Sequence, residues 1–400
     1  MRSLLPVFTA ESQDERLTMN ENPETASTPD TKSNLDTKSA PDTANTPDTA
    51  RTARLNSRQC AILFSENERV SMTHGGGGKL SQRLVDEIFF PAMENSILHR
   101  KLDAALLDCP NGTIAMTTDS YVVTPRFFPG GNIAKLSVYG TINDLAVSGA
   151  TPIAISAAWI LEEGLLLSEL KQLAEEMGAA AREVGVAVVT GDTKVVDRGR
   201  GDGCYITTTG IGIVPPGRNI GLNRISAGDA ILMSGTIGDH GMAIMAARGG
   251  LPISTAIVSD CAPLHELIAS LVRVGIRIHA MRDPTRGGIS SALNELANAV
   301  RLGFVIEESC VPIAPLVRSA CEMLGIDPWT VANEGKFLLF VPMAESERAL
   351  KVLQNHPLGQ SAAIVGRVVQ DHPGIVVGKT PYGTQRVVVM PTGDSLPRIC

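Results

Sequence analysis

SELKQLAEEMGAAAREVGVAVVTGDTKVV, residues 168–196, sets the frame for the chain. Leu170, Leu173, Met177, Ala181 and Val184 recur at three-to-four spacing, which predicts an amphipathic helix with Ser168 capping its start and Gly185 ending it. VAVV, residues 186–189, follows as a buried strand, and TGDTK then reads as a polar turn that delivers Asp192 at the strand's end. Downstream, AILMSGT (230–236) predicts a strand and GDHGMAIMAA (238–247) a loop entering a helix. Ile289, Leu293, Leu296 and Val300 predict a second amphipathic helix behind DPTRGG (283–288). Both halves mix strands and helices, so the expected class is α/β (α+β) with two domains, 56–220 and 221–390, meeting in the segment 215–229. A mobile tail is expected over 391–400.

At 400 residues, 44% of them hydrophobic and 19% charged, the composition is that of a soluble globular protein too long for one ordinary core. A formal net charge of −7 without a long basic block excludes a nucleic-acid footprint. The longest apolar-leaning stretch, 150–161, falls short of the roughly 20 residues a membrane span needs. The start of the chain is a poor signal peptide, and its seven cysteines form no CxxC pair, which suits free thiols in a reducing cytoplasm. Residues 1–55, with the degenerate repeat TPDTKS, APDTAN and TPDTAR, offer too little apolar surface to offset ordering entropy and are expected to be disordered.

Three carboxylates carry the chemistry of the first half: Asp119 in TTDSYV, Asp144 in GTINDLAVSGA and Asp192 in TGDTKVV. At turn-like positions among small residues they suit Mg²⁺ shared with phosphates, with Asn143 as a neutral fourth ligand; any one alone reads better as a cap or turn residue, and it is the set together that points to the ion. Glycine runs at HGGGGK (74–79), FPGGN (128–132) and TRGG (285–288) can aim backbone N–H groups at an anion, TRGG best because a helix follows. HGGGGK lacks the Walker A spacing. Lys194 and Glu334 are a possible cation and base, although surface ion pairs use the same residues. Cys400 closes the chain in LPRIC, where Pro397 disfavours a helix, and ten extended residues from Pro391 reach about 33 Å.

Taken together, HGGGGK, TTDSYVVTPRFFPGGNIAKL, GTINDLAVSGATP, TGDTKVV, SGTIGDHG, DPTRGG, ANEGK and the closing PRIC resemble the hydrogenase maturation family HypE across roughly residues 71–400. More distantly the chain is similar to aminoimidazole ribonucleotide synthetase and selenophosphate synthetase. The resemblance implies an aminoimidazole ribonucleotide synthetase-like fold, with an N-terminal mixed or antiparallel sheet domain that dimerises and a C-terminal α/β domain. It implies ATP and Mg²⁺, with nucleotide and metal contacts at Asp119, Lys135, Asn143, Asp144, Asp192, Thr193 and Asp283. It also implies a carbamoyl group placed on Cys400 by the carbamoyltransferase HypF and dehydrated to a thiocyanate after ATP activates its oxygen. Lys194 and Glu334 would contact the carboxamide nitrogen, and the cyanide would pass to a HypC–HypD complex for nickel-iron hydrogenase.

Overall fold

The computed structural model describes residues 67–76, 79–100, 105, 107, 111–249, 257–391, 396 and 398–400. The disordered extension expected over 1–55, Gly77 and Gly78 of the glycine run, and Pro397 of the tail lie outside that set. The first half comprises α1 (Lys79–Leu84), β1 (Thr113–Tyr121), α2 (Ile133–Val147), β2 (Thr151–Glu162), α3 (Leu167–Glu183), β3 (Ala187–Val196) and β4 (Cys204–Val214). Its strands form one sheet in the order β1-β4-β2-β3, antiparallel except for the parallel pair β2 and β3.

The helix predicted from Leu170, Leu173, Met177 and Ala181 is α3, and that stripe is buried in one core with Ile155, Trp159 and Ile206 of the sheet. Ser168 does not cap it: the helix starts at Leu167, and no side-chain cap is made. The orphan N–H of Leu167 instead donates to Glu68 O at 2.8 Å, so an upstream segment supplies what a capping side chain would. Nor is TGDTK a turn, because β3 runs through it to Val196. Thr190, Thr193, Val195 and Val196 are β-branched, and at a sheet edge the polar side chains between them can face solvent. Gly191 is required there, since a Cβ would lie 2.3 Å from Ala157 O.

Burial on all sides shapes α2, which shows no amphipathic stripe in sequence; Ile133, Leu136, Tyr139 and Ile142 join the sheet's core. Ala146 and Val147 join a second core with Leu264, Leu267 and Leu271. The helix is thereby the shared wall of the two halves, and it carries Asn143 and Asp144.

Residues 215–228 lead to β5 (Asp229–Met233), α4 (Asp239–Ala247), α5 (His265–Val274), β6 (Ala280–Arg282), α6 (Gly288–Val300) and β7 (Gly303–Glu307). Then come α7 (Pro315–Leu324), β8 (Leu338–Pro342), α8 (Ser346–Gln354), β9 (Ala363–Val369), β10 (Val376–Lys379) and β11 (Gln385–Val387). The seven-stranded sheet has the order β11-β10-β7-β9-β5-β8-β6 and is mixed, with β7 and β10 parallel. α6 covers one face through Ile289, Leu293 and Leu296, while α5 and α8 cover the other through Leu267, Leu271, Ala349 and Leu353. No helix among the described residues is long and apolar enough to cross a membrane.

Candidate active site

The predicted turn carboxylates all sit in regular elements: Asp119 in β1, Asp144 in α2 and Asp192 in β3. Two of them meet. Thr117 Oγ1 donates to Asp144 Oδ2 at 2.6 Å, and Tyr121 O–H donates to Asp119 Oδ2 at 3.2 Å, so alternate residues of β1 point at α2. Tyr121 is buried against Gly140, and burial together with Asp119 holds its phenol well above the usual range, so it serves as a donor.

From the second half, Asp283, at the end of β6, and Glu334, in the loop before β8, face the same negative field. Burial, then the Asp283 charge, raises the Asp144 carboxyl to about 7. Glu334, only 4% exposed, is pushed well above the carboxylate range by burial and then by Asp260, Asp283, Asp119 and Asp144. Asp283 is likewise raised, by burial first. Asp260 adds a buried Oδ2 with no hydrogen-bond partner, 3.5 Å from Lys336 Nζ. Among the described residues no three His, Cys, Asp or Glu side chains are close enough to hold an ion unaided. The hard carboxylate oxygens of Asp119, Asp144 and Asp283, and the burial and mutual repulsion that raise the last two, fit Mg²⁺ completed by phosphate and water, the usual way that ion is bound.

Asp192 does not join this cluster within one chain. Asp119 lies opposite Thr208, Thr208 opposite Ala157, and Ala157 opposite Gly191, so β1 and β3 are three strand spacings apart, about 14 Å. Cross-strand neighbours share a face, and Asp192 belongs to the next row, with Ala158, Thr207 and Ser120. That face is open, exposing Met116 (70%), Ile114 (60%) and Ile160. Asp192 Oδ2 pairs with Lys194 Nζ at 3.0 Å and Oδ1 accepts the N–H of Thr193, which holds its pKa below the usual value. All three residues line the rim of a cavity of about 280 Å³ floored by Phe89, Trp159 and Val188. His74 of the glycine run is buried there, its Nδ1 bonded to Ser71 and its Nε2 without a partner.

Other predicted contacts have holding roles. Asn143 accepts from Leu264 N at 2.7 Å and donates to Ala262 O at 3.0 Å, tying α2 to the 259–264 loop. Lys135 pairs with Glu176 at 3.0 Å. Gly288, at the start of α6, has φ +58°, and a Cβ there would lie 2.5 Å from Trp329 O. Its glycine is a packing requirement. Asn333 was not singled out in the sequence, yet it accepts from Gly238 N and donates to Pro284 O, joining the α4 entrance to the TRGG turn. Its position beside Glu334 in ANEGK was the available signal.

The described residues at the end of the tail, Leu396 and 398–400, are seated here. Val122 N donates to Cys400 O at 3.2 Å, one residue beyond Tyr121, and Thr124 N donates to Arg398 O at 3.2 Å. Leu396 and Ile399 are buried in the first core. Cys400 therefore rests at the end of the strand that carries Asp119.

Two domain families match the chain: AIR synthase related protein, N-terminal domain, over residues 101–214, and AIR synthase related protein, C-terminal domain, over residues 226–379. "Carbamoyl dehydratase HypE" of Rhizobium leguminosarum bv. viciae is 48% identical over 335 residues, covering 84% of this chain and 96% of its own length. The chain belongs to the HypE family. Among HypE structures, the hydrogenase maturation protein HypE in complex with ATP superposes with a TM-score of 0.79 at 44% identity, covering 82% of this chain and 99% of that one. HypE in a HypE–HypF complex gives a TM-score of 0.68 at 44% identity, covering 77% and 99%. The expected fold, a mixed-sheet N-terminal domain joined to a C-terminal α/β domain, is the HypE fold.

Proposed function

We propose that this chain is the ATP-dependent carbamoyl dehydratase of hydrogenase maturation, with Cys400 as the carrier of the group that reacts. The observation that carries this reading is the hydrogen bond from Val122 N to Cys400 O, which seats the terminal residue beside Tyr121 and Asp119. HypF would place the carbamoyl group on the Cys400 sulfur, giving S–C(=O)–NH₂. The carboxamide oxygen then attacks the γ-phosphorus of ATP and ADP leaves. Loss of one N–H proton yields S–C(OPO₃²⁻)=NH. Loss of the second N–H proton and departure of phosphate leave S–C≡N. Oxygen departs as phosphate, a far better leaving group than hydroxide, and positioning with charge stabilisation is most of what the protein must add.

Glu334 suits proton acceptance because burial and four neighbouring carboxylates raise its affinity for a proton. Mg²⁺, held by Asp119 and Asp144 with Asp283 nearby, would offset the negative charge of these carboxylates and of the phosphates. The cavity beside His74 would receive part of the nucleotide.

Asp192, Thr193 and Lys194 enter this reading through a homodimer. The open face of the first sheet presents Ile114, Met116 and Ile160, and a second copy packed on it would bring its own Asp192 and Lys194 towards the first copy's site. The thiocyanate carbon would then be handed to a HypC–HypD complex, in the cytoplasm. Cys400→Ala tests the assignment: it should retain ATP binding and form no thiocyanate. Nucleotide turnover on a small amide by Cys400→Ala at the parent rate would instead support a superfamily kinase in which the cysteine is incidental.

A further inference from the structure

We propose that His240 and Arg248, at the two ends of α4, form a latch that holds the end of the tail in the dehydration position by its backbone. The proposal rests on the reading of Cys400 as the reacting residue. Its geometry is local and complete. The carbonyl oxygen of Ile399 lies 2.8 Å from His240 Nε2. A carbonyl can only accept, so Nε2 carries the proton and Nδ1 accepts from Ser259 O–H, also at 2.8 Å. Ser259 Oγ in turn accepts the N–H of Cys261.

At the other end of the helix, Arg248 Nε donates to Thr124 O at 2.6 Å and its Nη2 donates to Arg398 O at 2.5 Å. With Val122 and Thr124 from the end of β1, the backbone oxygens of three successive residues, the carbonyls of 398 and 399 and the terminal carboxylate of 400, each receive at least one donor. None of these contacts involves the sulfur. Docking therefore recognises the chain, and it leaves Cys400 half-buried against the first core. Arg398 adds an ion pair to Asp202 at 2.5 Å and sits at φ +57°, a left-handed conformation unfavourable for a residue with a Cβ. Contacts on both sides of Arg398 hold that conformation, so weakening the latch favours release.

The same relay reaches the chemistry. The loop that carries Ser259 and Cys261 also carries Asp260, whose Oδ1 accepts the N–H of Glu334, and Ala262, whose N–H donates to Glu334 O. A seated Ile399 thus fixes, through His240 and Ser259, the loop that braces the proposed base. His240 and Arg248 are positioning residues: neither touches the reacting atoms.

Cys400 alkylation by iodoacetamide, read by peptide mass, measures tail release without a carbamoyl group or ATP, so it stands even if the dehydratase reading fails. His240→Ala and Arg248→Ala should each raise the Cys400 rate about fivefold, the worth of one buried hydrogen bond, and leave exposed Cys310 unchanged. Single-turnover dehydration of the carbamoylated variants should slow by a similar factor with ATP affinity within about twofold, and His240→Gln should recover part of both effects. Parent rates at Cys400 in both alanine variants would overturn the latch. So would an equal rise at buried Cys204 and Cys321, which would mark general loosening. Arg248, half-buried at the end of its helix, keeps the test available if His240→Ala fails to fold.

Discussion

Asp144→Asn separates what the carboxylate cluster does for folding from what it does for chemistry. In the folded chain the Asp144 carboxyl is raised to about 7 from its ordinary value of 3.8. Between those values the folded state binds the proton and the unfolded state does not, so stability falls as pH rises from about 4 to about 7, then levels off. A shift of roughly three units corresponds to about 4 kcal/mol at pH 8. Partial solvation and the acceptance of Thr117 O–H reduce this to an expected gain of about 2 kcal/mol for asparagine, whose Oδ1 still accepts that bond. Urea unfolding in EDTA should show the variant more stable than the parent at pH 8 and nearly equal to it at pH 4. With Mg²⁺ and ATP the order should reverse, because only the parent gains a cation at that oxygen. A variant less stable than the parent at pH 8 in EDTA would refute the claim that Asp144 is held charged against its surroundings.

The open sheet face predicts trans complementation. Cys400→Ala and Asp192→Asn, inactive separately, should regain about a quarter of parent dehydration when mixed and allowed to exchange, since half the dimers would hold one intact site; no recovery would place Asp192 in its own chain's site. Gly335→Ala would put a Cβ 1.9 Å from Asp260 O beside Glu334, so a loss of about 2 kcal/mol or more in urea unfolding is expected together with loss of dehydration. At pH 8 iodoacetamide should label Cys204 and Cys321 far more slowly than Cys310, because burial raises those thiols to about 12 and about 11; equal rates would contradict the packing.

Periodicity revealed α3 and α6 because each buries one stripe against one sheet, and it identified β5 because both faces of that strand are covered. It did not place Asp192 correctly. TGDTK is polar because it forms an edge strand with one open face, and composition alone cannot distinguish such a strand from a turn. Ser168 resembled a cap, but the backbone of Glu68 had already met the need. Asp119 and Asp144 are legible together because several carboxylates recur beside small residues, not because either is distinctive alone. Their meeting depends on Thr117 and Tyr121 alternating towards a helix buried all round, a long-range arrangement without a local signature. The seat of the last residues was hidden for the same reason: Val122, Thr124, His240 and Arg248 bond to backbone atoms of residues 398–400, which carry no side-chain signature.

The central claim is that Cys400 carries the group that is dehydrated at this site. Intact mass of the C-terminal peptide, after incubation with HypF, carbamoyl phosphate and ATP, tests it most directly. The account predicts addition of one carbamoyl group at Cys400, followed by loss of one water only when this chain can use ATP, with Asp119→Asn stopping at the first step. An unmodified Cys400 with every component active, or water loss that proceeds equally without ATP, would contradict it.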